Sequence, residues 1–489
     1  MKSIIRPNIL KRNALFFLIL LPIIAIYCTH FFLPTNYMQP SGYLNWEDII
    51  YMLCAKEYKD GNAIFLYQYP FDDNIEIQKV FFQPQIFLLG YLWKITKIDP
   101  GILITIFGIL FGFFAIKNAF KLINTLVSNE NYSIILTTLF FWGGGLLSLS
   151  GILLHFTYFK GIGNLSTHMF RLDPGNGWWC LNFGRSFVYP MESYYHFIFL
   201  ASINSIFNKK YIHTFLLLVL LTFSHPYTST ELIIIIITWA TIEYFYKTKS
   251  ISKKELLILY SAFFIYLLYY AVILRSIPIY NTLSKQVALN WTYKIGSFLP
   301  GYILVWIASV ATIRNAVLLK QHFSNYKYRF FFCWGILAFL LSVHEFAIKP
   351  IQPIHFTRGY VYAGFFLFSI PALLSVLKKI YRTRKITKAL ILCGILLFFS
   401  DNITWFYYKF KNGIGVYYSE NERQLINFFS SKMEKGWIVL PSKYVKLTTA
   451  IQINSTFKGW LPHPYLALHV KEKETALHEF LFKGKLNPK

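Results

Sequence analysis

Long apolar runs separated by short polar segments constrain the fold of this chain more than any other feature. Hydrophobic residues make up 55% of its 489 residues and charged residues only 14%, against roughly 25% charged in a soluble domain. A water-soluble core of this chain length cannot bury so much apolar surface, whereas a bilayer accepts helices of roughly 17–25 apolar residues. We therefore predict an all-α polytopic membrane protein with about eleven transmembrane helices. The predicted spans are 13–33, 100–116, 133–155, 192–207, 211–225, 230–245, 255–274, 297–313, 330–348, 359–377 and 386–408.

The basic residues indicate how the chain is oriented. A net charge of +26 on a soluble protein would suggest a nucleic-acid partner. Here lysine and arginine fall in short segments between apolar runs, where such residues mark the cytoplasmic side. We therefore expect no nucleic-acid partner, a cytoplasmic N-terminus and, after eleven spans, an extracytoplasmic C-terminus. The predicted cytoplasmic segments are 1–12, 117–132, 208–210, 246–254, 314–329 and 378–388.

The first apolar run follows a charged stretch, Lys2 to Arg12, and no small-residue cleavage site comes after it. A retained first helix is therefore predicted in place of a removed signal peptide.

The predicted outer segments are longer and less repetitive, and such loops commonly carry function. Loop 34–99 carries a group of acidic residues and two stretches that are typical of interfacial helices, Met52 to Gly61 and Val80 to Ile95. Residues 1–409 are predicted to form the transmembrane domain, and the mixed polar and apolar tail 410–489 a small extracytoplasmic domain. The other outer loops are 156–191, 275–296 and 349–358.

An acidic pair, Glu47 and Asp48, begins shortly after the first span. Two such carboxylates at a membrane surface can provide a general base toward an acceptor hydroxyl or hold a divalent cation beside a phosphate. The alternative is that Glu47 is only a favourable charge at a helix N-terminus and Asp48 is solvated. No cofactor is predicted with certainty, and a divalent cation stays possible.

Arg358 lies at the predicted outer end of a span. A guanidinium group offers a planar fork of donors that suits a phosphate. The alternative is an interfacial arginine that extends toward lipid headgroups.

Three further ionisable residues, His225, His344 and Glu345, lie near predicted outer helix ends. Such groups are costly at membrane depth and tend to face a cavity, although His225 followed by Pro226 could simply end a helix. The five cysteines show no zinc-ligand spacing. Cys54 and Cys180 fall in loops and could pair.

The order of these parts resembles the GT-C superfamily, whose members are polytopic glycosyltransferases that use polyprenyl-phosphate sugars. The resemblance comprises the acidic pair, the following helix, the segment Gln83-Pro84-Gln85 before a second helix, Ser224-His225-Pro226-Tyr227, and Arg358. It continues in the tail with Gly459 to Pro464. Protein O-mannosyltransferases and the lipid A aminoarabinose transferase are members. Members commonly show two prolines where this chain has Gln-Pro-Gln.

The resemblance implies an inverting glycosyltransferase of a bacterial inner membrane, with a polyprenyl-phosphate sugar and membrane lipids as partners. Asp48 would be the catalytic base and Glu47 its support or a metal ligand, with the two roles exchangeable. Arg358 would contact the donor phosphate, and His225, His344, Glu345 and Gln83 would line the substrate site. A transporter or flippase of lipid-linked glycans, or a polymerase of them, is the alternative function.

Overall fold

A computed structural model describes most of the chain and is almost entirely helical. The described residues are 9–33, 38–71, 79, 81–173, 182–246, 250–286, 292, 295–314, 320, 323–380, 385–432, 434, 436–438, 445–461 and 467–483. His463, Lys294 and Cys180, together with part of the Gly- and Trp-rich segment of loop 156–191, lie outside these residues. The predicted pairing of Cys54 with Cys180 therefore stays a prediction.

Twenty α-helices are found in the described residues. Their bounds are α1 Ile9–Phe32, α2 Trp46–Lys59, α3 Pro84–Thr96, α4 Pro100–Val127, α5 Glu130–Trp142, α6 Leu147–Thr157, α7 Leu165–His168, α8 Phe183–Ser186, α9 Pro190–Phe207, α10 Tyr211–Ser224, α11 Pro226–Phe245, α12 Lys253–Leu267, α13 Pro278–Gln286, α14 Ile295–Ile313, α15 Tyr326–Ser342, α16 Tyr360–Ile380, α17 Lys385–Asn412, α18 Glu420–Ser431, α19 Val445–Asn454 and α20 Val470–Lys483.

Short elements complete the described chain. A π-helical turn, Leu268–Ile273, and a 3₁₀ turn, Leu274–Ser276, extend α12, and two more 3₁₀ turns, His344–Phe346 and Pro353–Thr357, precede α16. The strands β1 Gln39–Pro40 and β2 Tyr417–Tyr418 pair antiparallel, and β3 Trp437–Ile438 and β4 Lys458–Gly459 pair parallel.

Each predicted span coincides with helical structure, although 133–155 is divided between α5 and α6, and not every such helix passes a test of length and apolarity. Seven helices in the described residues are long and apolar enough to cross a membrane, or eight if one bent pair counts as a single span. The chain is thus an integral membrane protein, while the count of eleven is not confirmed. The shortfall lies in α9, α10 and α15, which are short or carry polar residues.

The bent pair is α5 and α6, which the sequence predicted as one span over 133–155. The helix breaks at residues 143–145. Other backbone comes too close to Gly145 for a side chain there, since a Cβ on Gly145 would lie 2.1 Å from the carbonyl oxygen of Gly301. Asp401 of α17 then caps α6, accepting hydrogen bonds from the backbone N–H groups of Leu147 (3.1 Å) and Ser148 (2.8 Å). The glycines permit close packing, as expected, but at a helix break.

The described chain divides into two compact units. The first unit comprises residues 1–26, 108–266 and 290–412, and the second comprises 27–107, 267–289 and 413–489. The first unit holds most of the apolar helices, with α14, α15 and α16 packed together.

The second unit joins the first predicted outer loop to the tail. His30 accepts a hydrogen bond from Gly42 N–H (3.1 Å), and its other ring nitrogen lies 3.1 Å from the carbonyl oxygen of Ile414. Gly42 has a positive φ of 85° and packs directly on Gly101, so no larger residue fits at either position. The predicted boundary near residue 410 stays a prediction, since the tail packs with loop 34–99 within this unit.

Candidate functional site

Asp48 lies in the first turn of α2, in the second unit. Asn45 caps this helix: its side chain accepts from the N–H groups of Glu47 (2.8 Å) and Asp48 (3.3 Å), and the Asp48 carboxylate accepts from Asn45 N–H (3.3 Å). The Asp48 side chain is buried, with 2% of its surface exposed. Burial raises the pKa of Asp48 well above its ordinary value, and the neighbouring charge of Glu47 adds to the rise against the opposing hydrogen bonds from Asn45.

In contrast to Asp48, Glu47 is exposed. The two acids of the pair thus have different surroundings, because the protein encloses Asp48 and leaves Glu47 exposed. Capping and catalysis are compatible roles for Asp48, since a capping carboxylate keeps further lone pairs. Among the described residues, no group of three or more His, Cys, Asp and Glu side chains is placed to hold a metal ion.

Arg358 lies in the first unit, immediately before α16, and forms an ion pair with Glu192 of α9. The Glu192 side chain is 2% exposed and that of Arg358 is 15% exposed. Glu192 also lies 4.0 Å from the ring of His196, one helical turn further along α9. Such partners offset the cost of burying an ionised carboxylate this deeply.

A chain of polar groups continues from this ion pair. The His196 ring nitrogens lie 2.6 Å from the Ser186 hydroxyl and 3.0 Å from the Tyr360 hydroxyl. Tyr360 in turn donates to the hydroxyl of Thr228 (3.4 Å), which lies 2.9 Å from His225 Nδ1. The chain therefore links the N-terminal ends of α9, α11 and α16, and we call it the Arg358 cluster.

His225 is the one predicted histidine that the structure brings into the Arg358 cluster. It separates α10 from α11 in an extended conformation and caps α11 by accepting from Thr228 N–H (3.2 Å). Its ring stacks on Tyr195, with 4.5 Å between the ring centroids. His225 thus ends a helix, which was the alternative considered from the sequence, and also belongs to the Arg358 cluster.

The other predicted site residues have local contacts. One ring nitrogen of His344 lies 2.6 Å from the carbonyl oxygen of Leu341, and the other accepts from Ile351 N–H at 2.9 Å. Glu345 follows in the same 3₁₀ turn. Gln83, at the cap position of α3, accepts from the Tyr67 hydroxyl (2.8 Å). Their roles in substrate binding stay predictions.

Glu192, His196, Thr228 and Tyr360 escaped the sequence analysis because they fall in or beside segments assigned to spans. One signal was available: a glutamate and a histidine four residues apart in an apolar segment lie on one helix face. Ionisable side chains at membrane depth are by default candidates for a functional site.

Comparisons with known proteins give a structural likeness only. No protein-family model and no curated protein sequence matches the chain. Its structure is similar to that of the archaeal oligosaccharyltransferase AglB from Archaeoglobus fulgidus in complex with an inhibitory peptide and a dolichol-phosphate. The TM-score is 0.46 and the identity 12%, over 96% of this chain and 69% of that one. It is also similar to the apo form of the oligosaccharyltransferase of the same organism, with a TM-score of 0.45 and 13% identity, over 90% of this chain and 64% of that one.

Those oligosaccharyltransferases belong to the GT-C superfamily, which this sequence resembles. Likeness at this level assigns no activity to the chain, and the function proposed next is supported by the chain's own residues.

Proposed function

We propose that the chain is a membrane glycosyltransferase that moves a sugar from a polyprenyl-phosphate donor to a lipid, glycan or protein acceptor on the non-cytoplasmic face. The observation that carries the proposal is the buried Asp48 carboxylate in the first turn of the helix that follows the first span. A polyprenyl-phosphate sugar keeps its tail in lipid and its headgroup at the interface. A base in the outer segment that follows the first span would therefore be near the depth where the reaction has to occur.

Asp48 would take the proton of the acceptor hydroxyl while the acceptor oxygen attacks the anomeric carbon. The bond between that carbon and the phosphate oxygen breaks, the configuration inverts, and polyprenyl phosphate leaves with the bonding electrons. Burial raises the pKa of Asp48, and a carboxylate with a higher pKa is a stronger proton acceptor once it is ionised.

Arg358 would stabilise the negative charge that develops on the leaving phosphate. Glu192 holds one end of the guanidinium group, which restricts its orientation before the donor binds. The N-terminal ends of α9 and α11 meet α16 at this position, and helix N-termini also favour anions. His225 and Tyr360 would line the same headgroup site, because the Arg358 cluster includes both.

The test compares cells that lack this protein with cells that express the wild type, Asp48→Asn or Asp60→Asn. Asp60 lies just past the other end of α2, is partly exposed and pairs with Lys59, so Asp60→Asn controls for loss of a carboxylate near this helix. Lipid-linked and surface glycans are measured by mass spectrometry, and the amount of protein in the membrane is measured for each variant.

We expect the donor lipid to accumulate and one sugar addition to be lost without the protein and with Asp48→Asn, but not with Asp60→Asn. A further single variant, Glu47→Gln, identifies which acid of the pair is the base. Sugar transfer should fall more when the base is replaced than when the other acid is. Glycans that are identical with and without the protein would end the transferase proposal. Full transfer by a well-expressed Asp48→Asn protein would remove Asp48 as the base.

One observation favours the alternative of a transporter or flippase of lipid-linked glycans. Glu231 in α11 is completely buried, and neither of its carboxylate oxygens has a hydrogen-bond partner among the described residues. Such a group within a span is typical of ion or proton pathways. If the chain is a transporter, cells with Glu231→Gln should fail to export the lipid-linked glycan, and cells with Asp48→Asn should still export it. If it is a polymerase, loss of the protein should change the length of the glycan without removing one type of sugar.

A further inference from the structure

A polar cavity of about 250 Å³ lies within the second unit. It is formed by the segment after β1, the start of α4, β2, α18 and α19. The residues that matter for its chemistry are Tyr43, Asp99, Tyr418, Arg423, Asn427 and Asn454. The transfer step proposed above does not use this cavity.

Two buried polar atoms of the lining lack a partner in the part of the chain that the structure describes. Tyr43 is only 4% exposed, and its hydroxyl makes no hydrogen bond there. Arg423 donates through Nη2 to the carbonyl oxygen of Pro40 (2.8 Å), but its buried Nε has no such partner. Leaving buried donors unpaired costs free energy, so a ligand that brought hydrogen-bond acceptors to Tyr43 and Arg423 would stabilise this part of the unit.

The charges of the lining narrow the class of ligand. Asp99 is fixed at the start of α4, where Oδ1 accepts from the N–H groups of Gly101 (2.9 Å) and Ile102 (3.2 Å). An anion near Arg423 would meet the carboxylate of Asp99, and a cation near Asp99 would meet the guanidinium of Arg423. A neutral polyol suits both, because one hydroxyl can donate to the carboxylate while its neighbour accepts from the guanidinium.

Tyr43 also lines the cavity, and its hydroxyl would supply a third hydrogen bond to the ligand. Burial raises its pKa well above the ordinary value, and the nearby Tyr418, Asp99 and Asp48 raise it further. The hydroxyl therefore stays protonated and can donate. Two aromatic rings, Tyr43 and Tyr418, also provide the apolar faces against which sugar rings pack.

The size of the cavity restricts the ligand to one ring. Pockets for drug-sized ligands measure roughly 300–1,000 Å³, and this cavity is smaller. We propose that it binds one neutral sugar residue, with vicinal hydroxyls that bridge Arg423 and Asp99 and a third oxygen that accepts from Tyr43. A role of this site in holding the acceptor near Asp48 would depend on the proposed transferase activity, but the binding itself does not.

The experiment uses the full chain in lipid nanodiscs and saturation-transfer NMR. The probes are methyl α-D-mannopyranoside, methyl β-D-glucopyranoside, N-acetyl-D-glucosamine and N-acetyl-D-galactosamine. Cyclohexanol controls for a ring without vicinal hydroxyls, and inorganic phosphate for an anion. The variants are Arg423→Gln, which removes a hydrogen-bonding group, and Asn427→Trp, which fills the cavity from an exposed position of α18. The control is Gln424→Ala, an exposed neighbour on the same helix that does not line the cavity.

We expect saturable binding of at least one sugar probe and none of cyclohexanol. The affinity should fall about tenfold or more in both cavity variants, and Gln424→Ala and Asp48→Asn should bind as the wild type does. Since Asn427→Trp removes no internal contact, it also covers the case in which Arg423→Gln fails to fold. The inference is overturned if the folded wild type binds none of the four sugars, if Asn427→Trp binds them equally well, or if phosphate is the preferred probe. Retained binding by Asp48→Asn separates this result from any failure of the transferase proposal.

Discussion

Arg358 donates a hydrogen bond to Glu192, a residue 166 positions earlier in the chain, and this ion pair joins the N-terminal ends of α9 and α16. Glu192 and His225 both lie at helix ends that the basic-loop pattern predicts to be on the same side of the membrane as Arg358. The contacts of the Arg358 cluster therefore agree with the predicted topology, which puts these helix ends on one side of the membrane.

Replacing Glu192 by glutamine should destabilise the protein strongly. The change leaves the Arg358 guanidinium without its carboxylate, and breaking one partner of a buried pair costs about 3–5 kcal/mol. Thermal unfolding of the purified protein in detergent would measure the loss. The control is the double variant Glu192→Gln with Arg358→Gln, which should be destabilised less than the sum of the two single changes, since neither charge is then left alone. Strictly additive losses would show that the two side chains do not interact.

The stability of the wild type relative to Asp48→Asn should decrease as the pH rises. Because burial raises the pKa of Asp48 above its ordinary value of 3.8, the folded state favours the protonated form more than the unfolded state does. The wild type is then most stable relative to Asp48→Asn below this ordinary pKa. Its advantage should fall as the pH rises and become constant above the raised pKa.

Unfolding temperatures of the wild type and Asp48→Asn, measured across that pH range, test this expectation. Parallel curves would mean that Asp48 is not buried as the structure has it.

The apolar helices could be predicted from the sequence because apolar runs have no other stable location than the bilayer. Their ends were predicted less well: α4 continues eleven residues beyond the predicted span and includes Lys117 and Lys121, which the sequence had assigned to a loop. The break between α5 and α6 was not predictable from local sequence, because it depends on the carbonyl groups of residues 300 and 301 and on Asp401.

Some residues of the candidate site could likewise be predicted from local sequence, and others could not. Asp48 and Arg358 stand out locally, as an acid pair after a span and a basic residue before one. Glu192 and Tyr360 do not, since their significance comes from contacts with residues far away in sequence. The cavity lined by Arg423 and Asp99 is likewise non-local, because it is formed by residues from the first outer loop and from the tail.

Replacing Asp401 by alanine should destabilise the break between α5 and α6. The carboxylate accepts from Leu147 N–H and from both the N–H (2.8 Å) and the hydroxyl (2.8 Å) of Ser148. Removing a helix cap costs about 0.5–2 kcal/mol, and each buried donor left unpaired adds about 1–3 kcal/mol. Asp401→Asn should be destabilised less, since its one amide oxygen can still accept from Ser148 while Leu147 N–H loses its acceptor. Equal unfolding temperatures for the wild type and Asp401→Ala would contradict this account.

Gly90 should tolerate no larger residue, because α3 crosses α2 there at direct backbone contact. A Cβ on Gly90 would lie 2.5 Å from both the carbonyl oxygen of Ala55 and the Cβ of Tyr58, so Gly90→Ala has to separate the two helices, at a cost of about 1–3 kcal/mol. Gly394→Ala is the matched control: Gly394 is also inside a helix, but nothing lies within 4 Å of its added Cβ. The control should be neutral or more stable by about 0.4–1 kcal/mol. Since Asp48 is on α2, Gly90→Ala should also reduce sugar transfer more than Gly394→Ala does, and equal stability of the two variants would show that α2 and α3 are not packed in this way.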